Sequence, residues 1–116
     1  MNGRLMRHAG ALHLAGFLAL CLVGPASAQV DAQAAQALAK ESDCFKCHAV
    51  DRRKIGPAYK DVAAKYKGRA EAEDRLFKHV TTAPKIMLLG NEANHKIVGS
   101  KDPVEIRNLI RWILSL

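Results

Sequence analysis

The 116-residue sequence predicts an all-α domain built from about four short helices. Three observations favour this fold class. Apolar residues recur at helical spacing in several stretches, and these stretches begin and end with residues typical of helix caps. The alternation of Val, Ile and Thr with polar residues that marks strands is missing. We therefore expect helices joined by polar loops.

The N-terminal segment, residues 1–28, predicts a signal peptide that is cleaved during export. Two arginines precede an apolar run over residues 9–23, and residues 26–28 (Ala-Ser-Ala) supply the small side chains of a cleavage site. The apolar run is short for a transmembrane helix, so removal is favoured over a retained anchor. We expect a periplasmic domain over residues 29–116, without stable membrane insertion.

The predicted mature chain is basic. All 11 acidic residues and 16 of the 18 basic residues follow residue 28, which gives a net charge of +5 (16 minus 11). Such a charge favours docking to a protein with an acidic face. Lys and Arg alternate with Asp and Glu instead of clustering with aromatic residues on one element, so nucleic acid is not an expected partner.

The first and last helices are the best marked. Asp31 is placed to cap an Ala-rich helix over residues 32–41 that leads into a pair of cysteines. The last helix opens with Asp102 as its cap and Pro103 at its first helical position. Its apolar stripe consists of Ile106, Leu109, Ile110, Ile113 and Leu114.

Two further helices are predicted between them. Pro57 is placed as the first residue of a helix whose apolar face runs to residue 66 and which Gly68 ends. Another runs over about residues 70–80, with acidic side chains near its positive dipole end. Residues 84–101 lack periodicity and are long for a connection, so we expect a functional loop there.

The motif that carries chemistry is the run Cys-Phe-Lys-Cys-His at residues 44–48. This is the attachment pattern of a c-type haem. Cys44 and Cys47 are spaced to add to the two vinyl groups of one porphyrin, and His48 is then close enough to bind the iron. The sequence therefore predicts one covalently attached haem c.

Two other interpretations of the cysteines are weaker. A thioredoxin-like disulfide between Cys44 and Cys47 would require a βαβ context that the sequence does not show. A structural zinc site needs about four ligands. After residue 28 the chain offers these two cysteines and three histidines, His48, His79 and His95.

The chain also resembles the small bacterial class I cytochromes c of the short respiratory and denitrification type. The resemblance covers most of the predicted mature chain except the loop after residue 80. It lies in residues 35–40 (AQALAK), 44–51 (CFKCHAVD), 56–66 (GPAYKDVAAKY) and 109–115 (LIRWILS).

This resemblance implies a cytochrome c-like fold wrapped around the haem. Leu38 of the first helix should then meet the apolar stripe of the last helix, with Trp112 near the porphyrin. It also implies that the carbonyl of Pro57 accepts a hydrogen bond from the second ring nitrogen of His48, which orients the imidazole toward the iron.

The sixth iron ligand departs from the family pattern, in which a Met followed by Pro supplies sulfur. Met87 is the only Met after residue 28, and no Pro follows it. His95 stands nearer to the usual ligand position relative to Trp112, and imidazole is a competent haem ligand. We predict His95 as the sixth ligand, with Met87 as the main alternative. Lys96, His79 or a position without a protein ligand are further possibilities. For His79 the resemblance implies a place near a haem propionate, or simply the surface.

These features predict a periplasmic one-electron carrier of a respiratory chain, with His/His ligation and no catalytic residues. Its partners would be redox proteins with an acidic face, such as a periplasmic oxidoreductase or a terminal oxidase or reductase. Two alternatives stay open. The chain could be the haem subunit of a periplasmic oxidoreductase complex, or a ligand-binding or peroxidatic haem protein with a labile distal site.

Overall fold

The computed structural model describes residues 29–116, so the predicted signal peptide lies outside the described residues. Within this range the fold is mostly helical, as predicted, with the addition of one short antiparallel hairpin. None of the described helices is both long and apolar enough to cross a membrane. The elements are α1 (Ala32–Glu41), α2 (Cys44–Cys47), α3 (Tyr59–Tyr66), α4 (Ala72–Thr81), β1 (Lys85–Leu88), β2 (Asn91–Asn94) and α5 (Pro103–Leu114).

The helices α1 and α5 form as the sequence predicts. The Asp31 carboxylate accepts a hydrogen bond from the backbone N–H of Ala34 at 2.9 Å, and that of Asp102 accepts one from Val104 at 2.8 Å. Each cap satisfies a backbone donor that the first turn of a helix leaves without a partner. Pro103 occupies the start of α5, where its missing N–H costs nothing.

The core is formed largely between α1 and α5. Leu38 packs in the same cluster as the α5 stripe, which confirms the contact that the resemblance implied. Leu109 and Ile110 are the largest fully buried side chains among the described residues, because α5 has α1, α3 and α4 packed around it. Removing this apolar surface from water is the main favourable term in holding the helices together.

Two predicted helix starts are displaced. The helix α3 begins at Tyr59 and not at Pro57, because the backbone N–H of Tyr59 is bonded to the carbonyl of Ala49 at 2.9 Å and the approach to the helix is extended. Pro57 is thereby left in the loop. The helix α4 begins at Ala72 and not near residue 70, because the preceding residues form a turn closed by the bond from Ala72 N–H to the Arg69 carbonyl at 3.2 Å.

The expectation of a loop without regular structure over residues 84–101 was wrong for residues 85–94, where β1 and β2 pair as a hairpin. Residues 95–101 contain neither helix nor strand. Leu89 and Gly90 connect the strands, and both have positive φ, 51° and 83°. Positive φ at both central residues gives a turn whose twist matches that of paired strands. The sequence pattern of a hairpin was weak here, because Leu89 stands where Asn or Asp is usual and each strand has only four residues.

Candidate functional site

The one-turn helix α2 presents both cysteines of the motif. Cys44 and Cys47 are half-buried and are free thiols, so the structure gives no support to the disulfide interpretation. The turn is entered through Asp43, whose φ of 59° lies in the left-handed region that Asp tolerates better than most residues. The backbone N–H of His48 donates to the Cys44 carbonyl at 2.9 Å, which closes the turn and places His48 beside the thiols.

The ring of His48 is oriented by the loop before α3. Its Nδ1 lies 2.8 Å from the carbonyl oxygen of Pro57. A carbonyl can only accept, so Nδ1 carries the proton and Nε2 keeps its lone pair for a metal. This is the contact that the resemblance implied for Pro57. Gly56 lies against the same ring, because a Cβ on Gly56 would be 2.5 Å from Cε1 of His48.

Aromatic rings connect His48 to the core. Tyr59 stacks on the His48 ring with centroids 5.2 Å apart, and Trp112 meets Tyr59 edge-on at 5.7 Å. Burial raises the pKa of the Tyr59 phenol, so the side chain stays neutral. Burial likewise raises the pKa of the Cys44 thiol, against the opposing effect of a hydrogen bond with Tyr59. Trp112 thus packs against the Tyr59 ring, which in turn stacks on His48.

His95 lies directly after β2 and faces His48. The two ring centroids are 6.1 Å apart, with their planes inclined at 46°. Nδ1 of His95 is buried and has no hydrogen-bond partner among the described residues. A buried polar atom without a partner costs about 1–3 kcal/mol, which argues for a further group at this position. Burial lowers the pKa of His95, which favours the neutral imidazole that binds metals.

The distance between these two rings fits an iron between them. Imidazoles that bind one metal ion from opposite sides have centroids about 6 Å apart, because each metal–nitrogen bond is about 2 Å long and each ring nitrogen lies about 1 Å from its ring centroid. The donor set thus suits a haem whose ring edge is attached to the two cysteines. Cys44, Cys47 and His48 would hold it on one side and His95 on the other.

His79 is the residue of this region whose place the sequence did not indicate. It lies on α4, half-buried, with its ring centroid 4.3 Å from that of His95. Burial lowers its pKa, and the neighbouring His95 lowers it further. From the sequence, His79 stayed open as a further candidate ligand, as a residue near a haem propionate or as a surface residue, because nothing in the spacing showed that α4 and the segment after β2 meet.

The two other candidate ligands are placed differently. Met87 is 71% exposed on β1, and its neighbour across the hairpin is Glu92. The ammonium of Lys96 is bonded to the carboxylate of Asp43. Neither side chain is brought to the His48 ring in the way that His95 is.

Comparisons with known proteins identify the family of this chain. Residues 32–116 match the family model described as Cytochrome c. A cytochrome c-551 of Allochromatium vinosum is 41% identical over 81 residues, which cover 68% of this chain and 82% of that protein. A cytochrome c-552 of Hydrogenobacter thermophilus is 37% identical over 103 residues, which cover 86% of this chain and 96% of that protein.

Solved structures lead to the same family. The class 1 cytochrome MtoD of Sideroxydans lithotrophicus superposes with a TM-score of 0.72 at 50% identity, over 75% of this chain and 97% of that one. Cytochrome c552 of Nitrosomonas europaea gives a TM-score of 0.58 at 28% identity, over 70% of this chain and 98% of that one. The chain therefore belongs to the cytochrome c family, as a small class I member that carries electrons with one covalent c-type haem.

Proposed function

We propose that this protein is a periplasmic one-electron carrier whose haem is attached to Cys44 and Cys47 and whose iron is held between His48 and His95. The observation that carries the proposal is the separation of 6.1 Å between the His48 and His95 ring centroids. When bound, the haem supplies reversible one-electron exchange between ferric and ferrous iron.

The chain's own residues prepare both sides of the site. On the His48 side, the hydrogen bond from Nδ1 to the Pro57 carbonyl at 2.8 Å orients the ring and strengthens the donation of Nε2 to a metal. On the opposite side, burial lowers the pKa of His95, which favours the neutral form of its imidazole. Two well-held imidazoles require little rearrangement between the two oxidation states, which suits an electron carrier.

Methionine ligation is the alternative, and the position of Met87 argues against it. A side chain that is 71% exposed on a strand would have to be carried inward by a rearranged hairpin before its sulfur could bind iron. The choice has a functional consequence, since Met ligation raises the haem reduction potential. We expect a potential below that of relatives with His/Met ligation, and a correspondingly low-potential electron donor.

Export and partner choice rest on the sequence. Residues 1–28 have the order of a signal peptide, and the motif Cys-x-x-Cys-His serves haem attachment outside the cytoplasm. Residues 29–116 carry a net charge of +5 before the two haem propionates are counted. A positive surface raises the rate of encounter with an acidic partner, and this steering weakens as salt screens the charges.

The ferric absorption spectrum of the holoprotein tests the ligand pair. We expect wild type and Met87→Ala to lack the weak sulfur-to-iron band at the red end, and we expect His95→Ala to become high-spin. Met87→Ala is the matched control, because it removes the competing ligand from an exposed position. A sulfur band in wild type that disappears only in Met87→Ala would show that Met87 is the ligand.

Carbon monoxide binding to the reduced protein provides a second test. Two endogenous ligands exclude an external one, so wild type should bind carbon monoxide slowly and His95→Ala rapidly. Rapid stoichiometric binding by wild type at neutral pH would instead indicate a ligand-binding or peroxidatic haem protein.

A further inference from the structure

We propose that Ser42 and Asp43, which immediately precede the first haem-attachment cysteine, are positioning residues that hold the His95 segment in place. They would thereby set how firmly His95 stays on the iron. The inference rests on the proposed function, since it takes His95 to be the distal ligand. The two residues that lead into Cys44 would then serve both sides of the haem.

Ser42 provides the buried half of this connection. Its side chain is the one buried polar side chain among the described residues, 4% exposed. Its hydroxyl oxygen accepts a hydrogen bond from the backbone N–H of Gly99 at 2.9 Å. Its own backbone N–H donates to the Leu38 carbonyl and ends α1. A hydroxyl at this position therefore connects the rigid end of α1 to the segment that follows His95.

Asp43 provides the charged half. Its carboxylate pairs with Lys96, the residue after His95, and with Lys46 of α2 at 3.1 Å. The left-handed backbone of Asp43 allows this side chain to face Lys96 while the chain continues into Cys44. Lys96 holds the Asp43 pKa below its usual value, and Lys46 adds to the effect, so the carboxylate is charged at neutral pH.

The other edge of the segment is held by backbone hydrogen bonds. His95 N–H donates to the Pro84 carbonyl at 2.8 Å, and Val98 N–H donates to the Val80 carbonyl at 2.9 Å. The His95 ring has no hydrogen bond of its own through Nδ1. Its position is therefore determined by the backbone on which it stands, and Ser42 and Asp43 secure that backbone from the side of α1.

Carbon monoxide association with the ferrous holoprotein measures this hold directly, because an external ligand binds only after His95 leaves the iron. The variants are Ser42→Ala, which removes the hydroxyl, and Asp43→Asn, which removes the charge but keeps a residue that tolerates positive φ. We expect Ser42→Ala to raise the association rate about fivefold. For the partly exposed Asp43 pair we expect an increase of about twofold to fivefold.

Matched controls remove equivalent interactions elsewhere. Lys85→Gln breaks the exposed pair with Glu92 on the hairpin, and Glu71→Gln breaks the exposed pair with Arg75 on α4. Glu71→Gln removes one negative charge, as Asp43→Asn does, and Lys85→Gln removes one positive charge. Both controls should leave the rate unchanged. Combining Asp43→Asn with Lys96→Gln should raise the rate no further than Asp43→Asn alone, since Asp43→Asn has already broken the pair with Lys96.

The outcomes separate this inference from the proposed function. Unchanged rates in both Ser42→Ala and Asp43→Asn would overturn the inference, even if urea unfolding showed both variants to be less stable. If the controls accelerate binding as much as the test variants, the effect is one of charge or general stability, and the inference is wrong. If His95→Ala binds carbon monoxide at the wild-type rate, His95 is not the ligand, and the proposed ligation fails first.

Discussion

Gly56 lies directly against the ring of His48, so that a Cβ added to Gly56 would be 2.5 Å from Cε1 and 2.8 Å from Nδ1. Real Cβ atoms do not approach other atoms so closely, and the ring is also bonded to the Pro57 carbonyl. With the His48 imidazole in this position, only glycine fits at residue 56.

The substitution Gly56→Ala should displace the His48 ring and weaken its bond to iron. We expect a lower yield of holoprotein and a high-spin contribution to the ferric spectrum, measured on protein purified in parallel with wild type. Gly68→Ala is the control. Gly68 has a φ of 74° with open space around it, so this change strains the backbone without touching a haem ligand. A normal low-spin spectrum for Gly56→Ala would contradict the steric argument.

Glu73 connects α4 to α5 through two arginines. Its carboxylate accepts hydrogen bonds from Arg107 at 2.9 Å and from Arg111 at 3.0 Å. Because the carboxylate is partly shielded from water and shared between two partners, Glu73→Gln should lower the free energy of unfolding by about 1–2 kcal/mol. Urea unfolding of the ferric protein measures it. Glu71→Gln, which loses an exposed pair at 3.7 Å, should cost less than about 0.5 kcal/mol.

The same carboxylate predicts a pH dependence of stability. Hydrogen bonding to Arg111, with a further contribution from Arg107, lowers the pKa of Glu73 below its ordinary value of 4.5. The unfolded chain then binds a proton more readily than the folded one, so this contribution is present above pH 4.5 and is lost as the pH falls through the folded pKa. The stability difference between wild type and Glu73→Gln should therefore shrink in acid. If the difference in the free energy of unfolding between the two proteins stays constant below pH 4.5, the predicted role of the Glu73 carboxylate is wrong.

The start of α1 is tied to α5 by a reciprocal pair of hydrogen bonds. The Asn108 side chain accepts from the backbone N–H of Asp31 at 2.9 Å and donates to the Asp31 carbonyl at 2.8 Å. Asn108→Ala should lower the free energy of unfolding by about 1 kcal/mol. Asn94→Ala, on the exposed hairpin, should change it by less than about 0.5 kcal/mol. Equal effects of the two changes would show that the pair contributes nothing specific.

Much of this protein could be predicted from local patterns. The caps Asp31 and Asp102 and the apolar stripe of α5 identify their helices, because a helix start and its buried face are encoded within a few residues. The haem-attachment motif is equally local, since two cysteines and a histidine within five residues bring all three groups to one turn. The hairpin was missed because its turn uses Leu89, a residue that local propensity does not associate with positive φ.

From the sequence by itself, the resemblance of four segments indicated the family, and the spacing of one motif indicated the cofactor chemistry. Caps and apolar periodicity identified the two helices that make most of the core. Only the tertiary structure brought His95 to 6.1 Å from His48 and His79 to 4.3 Å from His95. It alone joined Ser42 and Asp43 to the His95 segment. The physical reason is that these contacts link residues 16 to 57 positions apart, and their geometry depends on how α1, α4 and the hairpin pack, which no local pattern encodes.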